Sequence, residues 1–140
     1  MGEFFSQLLE RPAQPATRLS RYTERCGYFY ALSGALFLFA PGLLVLVGVM
    51  PPFQGQEEGL IRIIGFTLGL IGYFYVFGGR TQHTAFGLST VLDRLLVPFF
   101  ILFIYQVSEV ALLLVLPLAL LDPILGVGAY VLWRRDEAER

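Results

Sequence analysis

The sequence predicts an all-α polytopic membrane protein, an antiparallel up-down bundle of four transmembrane helices bent at several prolines. Three observations lead there. The first is composition: 56% of the 140 residues are hydrophobic and only 15% charged, with a mean hydropathy of +0.66, whereas a soluble domain carries about 25% charged residues. The second is distribution. The apolar residues fall in four long segments, about 26–50, 60–79, 87–106 and 110–133, each of a length to cross a hydrocarbon core of about 30 Å at about 1.5 Å per helical residue. Together they leave no room for a separate globular domain.

The third observation is the placement of charge. All ten basic residues are Arg. Arg11, Arg18, Arg21 and Arg25 precede the first segment, Arg80 lies between the second and third, and Arg134, Arg135 and Arg140 follow the fourth. The opposite side has Glu57, Glu58 and Glu109, with Arg62 its only basic residue. By the positive-inside rule both termini and the 80–86 loop are cytoplasmic, which an even number of spans requires. The absence of Lys suits a GC-rich bacterial genome, hence an inner (cytoplasmic) membrane. A net charge of −1 argues against nucleic acid as a partner, and the lipid bilayer is the partner the composition demands.

Residues 1–25 are expected to be a cytoplasmic segment and 26–140 the membrane domain. Phe4, Phe5, Leu8 and Leu9 form a short apolar face, so residues 2–10 are a candidate interfacial helix, stopped by Pro12 and Pro15. In the first span Pro41 is expected to cause a kink, because it leaves the Phe37 carbonyl without its helical donor. The second span carries Gly65, Gly69 and Gly72, a small-residue stripe that lets a neighbouring helix approach closely. The tetrapeptide Gly-Tyr-Phe-Tyr occurs at 27–30 and again at 72–75, and reads mainly as interfacial aromatic belt. The connections 51–59, 80–86 and 106–109 are short, so successive spans are expected to be antiparallel neighbours.

The fourth span holds the most informative residue. The run Ala111–Trp133 contains nine Leu, three Val and one Ile, each favouring insertion by about 0.3–0.6 kcal/mol. Their sum outweighs the cost of a central Asp122, about 2.5–3.5 kcal/mol. A carboxylate at that depth must be paired, protonated or facing water. Small neighbours on its helical face, notably Gly126, point to helix packing there. The third span opens with Thr90, Asp93 and Arg94, and Arg94 lies roughly 10 Å in from the cytoplasmic end. The predicted polar core is therefore an Arg94–Asp122 pair, with Asp93 bonded to Arg80, Arg94 or Tyr73, and with Thr90 on the same broad face. Pro123 and Pro98 free the Ala119 and Arg94 carbonyls beside it.

No metal site is expected. His83 has no acidic or thiol ligands near it in sequence, and Cys26 is alone. No nucleophile triad ordering, Gly-rich phosphate loop, haem-type His pair or HExxH motif is present, so no catalytic residue is assigned and no cofactor is evident.

The second span ending Gly78-Gly79-Arg80, the third opening Ser89-Thr90-Val91-Leu92-Asp93-Arg94, and the last carrying Asp122 before Ala129, Leu132 and Trp133 resemble the small bacterial four-span proteins grouped as DoxX-like or of unknown function. That resemblance implies a four-helix membrane protein, in some cases a subunit associated with quinone-linked oxidoreductases, and transfers no functional residue. The function the sequence favours is a non-enzymatic accessory or structural subunit, bound to other membrane subunits or to its own copies; the alternatives are a binder of a lipophilic ligand such as a quinone or lipid around Asp122 and Arg94, and an oligomeric proton-coupled transporter. A continuous cavity reaching Asp122 favours the ligand binder, and a dry, tightly packed pair counts against it.

Overall fold

The computed structural model describes residue 12 and residues 15–139, which form five α-helices and no strand: α1 (Arg18–Phe39), α2 (Gly42–Leu46), α3 (Glu57–Arg80), α4 (Thr84–Val107) and α5 (Leu112–Ala138). The candidate interfacial helix over 2–10 lies outside the described residues. Three helices, α3, α4 and α5, are long and apolar enough to cross a membrane. They coincide with the expected spans at 60–79, 87–106 and 110–133, with ends shifted by a few residues.

The first segment needs correction, because it is not one helix from 26 to 50. It starts earlier, at Arg18, and so includes Arg18, Arg21, Glu24 and Arg25. Those charges keep α1 out of the set that is apolar enough to span by composition. It also ends at Phe39, so Pro41 breaks the helix where a kink was expected. The Ala40 amide still donates to Leu36 O at 2.9 Å, and Pro41 then becomes the N-terminal flank of the short α2. At the break Arg62 of α3 reaches across, donating through Nη1 to the Leu38 carbonyl at 2.6 Å while Nη2 holds Glu58 at 2.7 Å. A carbonyl freed at a helix C-terminus thus finds a cationic donor, which the helix dipole also favours.

The start of α1 is closed by a different helix. Thr17 accepts from the Ser20 amide at 3.1 Å in the usual N-cap manner. The Asp136 carboxylate, on the last turns of α5, accepts from the Arg18 and Leu19 amides at 3.3 and 3.0 Å. Arg18 also pairs with Glu139 at 2.7 Å. The N-terminus of α1 and the C-terminus of α5 therefore share one end of the bundle. The C-terminus of α3 joins them there through the Arg80–Glu24 pair at 2.9 Å.

The helices pack as two antiparallel pairs, α1 with α3 and α4 with α5, joined through α1 and α5. Successive helices are not all neighbours as expected. α3 and α4 touch only sparsely, where Phe86 covers Gly78 beside their connecting loop and where Tyr75 meets Asp93 and Arg94. The reason is the surface of α1. A Cβ on Gly27 would lie 2.5 Å from the Val76 amide nitrogen, and one on Gly72 would lie 2.4 Å from the Ala31 nitrogen. Gly34 and Gly65 make the same kind of backbone-to-backbone contact one turn or two further on. Only glycine permits that approach, so the stripe on α3 selects α1 and not α4.

The contacts are reciprocal. Gly27 faces the Gly72 carbonyl and Gly72 faces the Gly27 carbonyl, while Gly34 and Gly79 occupy equivalent positions against α3 and α1. Residue i of α1 thus corresponds to residue i + 45 of α3 (72 minus 27) about a local two-fold axis. The two Gly-Tyr-Phe-Tyr copies are mates across that axis.

Candidate functional site

That two-fold relation decides which tyrosines enter the core. In each copy the last Tyr lies three residues after the close-packed Gly and projects towards α4 and α5. Tyr30 and Tyr75 are both buried, with ring centres 5.5 Å apart and planes at 85°. Tyr73, the phenol expected in the polar core, is instead 44% exposed and lies against Phe74 and Phe77. Two residues along a helix is about 200° of rotation, so equal depth did not mean equal facing.

The two buried tyrosines organise the acids. Tyr30 donates to Asp122, and Tyr75 donates to Asp93. Asp122 is buried, whereas Asp93 is exposed at its other side. Arg94, 1% exposed, lies between the two rings, with its guanidinium carbon 4.9 Å from the centre of Tyr75 and 5.9 Å from that of Tyr30. Its Nη1 donates to the Leu125 carbonyl at 3.5 Å, a weak contact, and its Nε and Nη2 find no hydrogen-bond acceptor among the described residues. The predicted Arg94–Asp122 pair is therefore indirect, because Tyr30 takes the Asp122 oxygen and offers its ring to the guanidinium. A desolvated cation on an aromatic face gains about 2 kcal/mol, while each buried donor without a partner costs about 1–3 kcal/mol. The arrangement holds a charge in the core without fully satisfying it.

The remaining expected residues fall into two groups. Thr90 is buried and bonds its hydroxyl back to the Gly87 carbonyl at 2.8 Å, taking no part in the polar contacts. Arg80 does not reach Asp93; it holds Glu24 at 2.9 Å and the Tyr28 hydroxyl at 2.8 Å at the end of the bundle. Gly126 faces Arg94, where an added Cβ would lie 3.3 Å from the Arg94 Cβ, so it sets the spacing of α4 and α5. Gly65 and Gly72 pack against α1, whereas a Cβ on Gly69 would meet nothing within 4 Å. Among the described residues no group of three or more His, Cys, Asp or Glu is placed to hold a metal ion.

Tyr30, Tyr75 and Cys26 form the buried cluster around the guanidinium; the two tyrosines had been expected in the interfacial aromatic belt. The repeated tetrapeptide was the signal: its Gly and its second Tyr share one helical face three residues apart, which marks a packed residue more than a belt aromatic.

A cavity of about 190 Å³ ends on this site. Its walls come from α1, the α2 region, Leu68 of α3 and the first half of α5, and they are almost wholly apolar: Phe29, Phe37, Leu44, Leu114, Pro117 and Leu118 among them. The polar groups at its inner limit are Tyr30, Ser33 and Asp122. Pro117, inside α5, lines it at mid-height. Comparison with protein-family descriptions, with curated proteins and with solved structures finds no match.

Proposed function

We propose that this chain is an integral membrane protein that binds a lipophilic small molecule in the cavity ending at Tyr30 and Asp122. The observation that carries the reading is the cavity itself. A packing ion pair would be dry and enclosed, whereas Asp122 borders about 190 Å³ of apolar space. The pocket is partly open, with Phe29 and Leu113 of its wall exposed, so an apolar molecule can enter and bury that surface.

Packing supports a four-span reading beside the three candidate spans. α1 lies along α3 from Ser20, opposite Gly79, to Leu38, opposite Gly65. Nineteen residues of helix cover roughly 28 Å, so wherever α3 crosses, α1 crosses with it. The proposed arrangement therefore has four crossings, and the Arg distribution supports placing both termini on the cytoplasmic side of a bacterial inner membrane. Kinship with DoxX-like proteins is proposed on the short motifs alone, and the ligand reading does not rest on it.

Native mass spectrometry of the full chain purified in mild detergent tests the reading. Wild type is expected to carry a co-purified lipophile, and Leu118→Trp, which fills the cavity, is expected to lose it. Equal adducts on both proteins, or none on wild type, would count against the site. A second reading, an accessory subunit of a larger assembly, draws on the groove between Gly34, Ala35 and Gly69 on the outer face of the α1–α3 pair. Recovery with stoichiometric partner subunits is its signature in the same experiment.

A further inference from the structure

Resting on the ligand reading, we infer that the occupant presents a neutral hydrogen-bond donor, an alcohol or phenol hydroxyl, to Asp122, and that its buried part is the size of one substituted ring. The polarity argument starts from an inventory of the cavity's inner end. A tyrosine hydroxyl has a single hydrogen, and that of Tyr30 is already given to Asp122. At that bond the Asp122 oxygen is the acceptor. What faces the cavity is therefore the remaining acceptor capacity of Asp122 and Tyr30, together with the Ser33 hydroxyl. Such a set is complementary to a donor. It suits a hydroxyl best, which can donate to Asp122 and accept from Ser33, whereas a carbonyl or ether can use only the Ser33 hydrogen and a carboxylate or phosphate meets mostly acceptors.

The donor is neutral because the positive charge is already in place. Arg94 stands behind Tyr30, its guanidinium carbon 5.9 Å from that ring and fully out of solvent. A second cation in an almost wholly apolar cavity would be desolvated beside the first, at a cost its single carboxylate could not offset. A hydroxyl meets the same acceptors without that penalty.

Size follows from volume. A cavity of about 150 Å³ accommodates benzene, so about 190 Å³ takes one ring and a few further carbons. A longer chain extends from Asp122 along the lining towards Leu44 of α2 and Leu113 at the start of α5. The hydroxyl then sits deepest and the tail runs to the opposite end of the bundle from Arg80.

Matched probes test this on the full chain in mild detergent. Binding of 4-propylphenol, its methyl ether 4-propylanisole, octylamine and octanoate is measured by equilibrium dialysis. The phenol is expected to bind about tenfold tighter than the ether, the ratio that one added hydrogen bond supplies, and tighter than the amine or the acid. Asp122→Leu is expected to erase the phenol's advantage while leaving ether binding in place. Ether binding equal to phenol, or preference for amine or acid, overturns the donor inference while the cavity reading stands. If no probe binds wild type better than it binds Leu118→Trp, the cavity reading itself fails. The probe comparison on wild type needs no variant to fold.

Discussion

Replacing Gly72 by Ala should destabilise the protein, and replacing Gly69 should not, although the two lie three residues apart in one glycine stripe. An added Cβ at Gly72 would lie 2.4 Å from the Ala31 nitrogen and 2.7 Å from the Gly27 carbonyl oxygen, both backbone atoms that cannot rotate away. Ordinary contact begins near 3.4 Å, so α1 and α3 would have to part by about 1 Å. Because Tyr30 and Tyr75 are carried on those two helices three residues from the contact, the separation is transmitted to the site. Overpacking of this kind costs about 1–3 kcal/mol. At Gly69 the new Cβ meets nothing within 4 Å, and the gain in helix propensity is about 0.4–1 kcal/mol in favour of the variant. Unfolding of the two variants in mixed detergent micelles, followed by circular dichroism, measures the difference. Equal stabilities, or a more stable Gly72→Ala, would refute the backbone-to-backbone packing of α1 on α3.

Two further variants probe the site and the helix ends. Tyr75→Phe removes the donor to Asp93 and should cost about 1–2 kcal/mol, whereas Tyr73→Phe should stay within about 0.5 kcal/mol of wild type; the same unfolding assay separates them, and the reverse order would place the wrong tyrosine in the core. Asp136→Ala strips the cross-helix cap from the Arg18 and Leu19 amides, with an expected loss of about 0.5–2 kcal/mol and faster hydrogen exchange at those two amides. Unchanged exchange there would mean that α5 does not close α1.

Much of the helical framework was legible because long apolar runs leave the backbone one option in a membrane. The spans at 60–79, 87–106 and 110–133 needed only length and hydropathy. α1 was misjudged at both ends for one reason: its first turns are charged and its apolar stretch runs through Pro41, so hydropathy marked neither boundary. Charge at Arg18 and Arg25 reads as flank until Asp136 is known to cap the helix from another part of the chain, and no local pattern carries that. In the site, Arg94 and Asp122 were visible as ionisable residues at the wrong depth. Their intermediary was not, because depth along a helix says nothing about rotation around it, and Tyr73 and Tyr75 differ only in rotation. The glycine contact that fixes this rotation is a relation between α1 and α3; the stripe at Gly65 and Gly72 showed that a helix packs there, and only the repeated Gly-Tyr-Phe-Tyr hinted at which one.

The central claim is that a lipophile occupies the space bordered by Ser33, Leu118 and Asp122, and photolabelling tests it most directly. A short alkylphenol carrying a diazirine is irradiated with the full chain in mild detergent, and the modified residues are mapped by tandem mass spectrometry. The account predicts labels on cavity residues, Asp122 above all since its carboxylate captures the reactive intermediate, with competition by unlabelled 4-propylphenol and loss in Leu118→Trp. Labels confined to outward-facing residues such as Leu92, Phe99 and Phe103, unaffected by competitor, would contradict it.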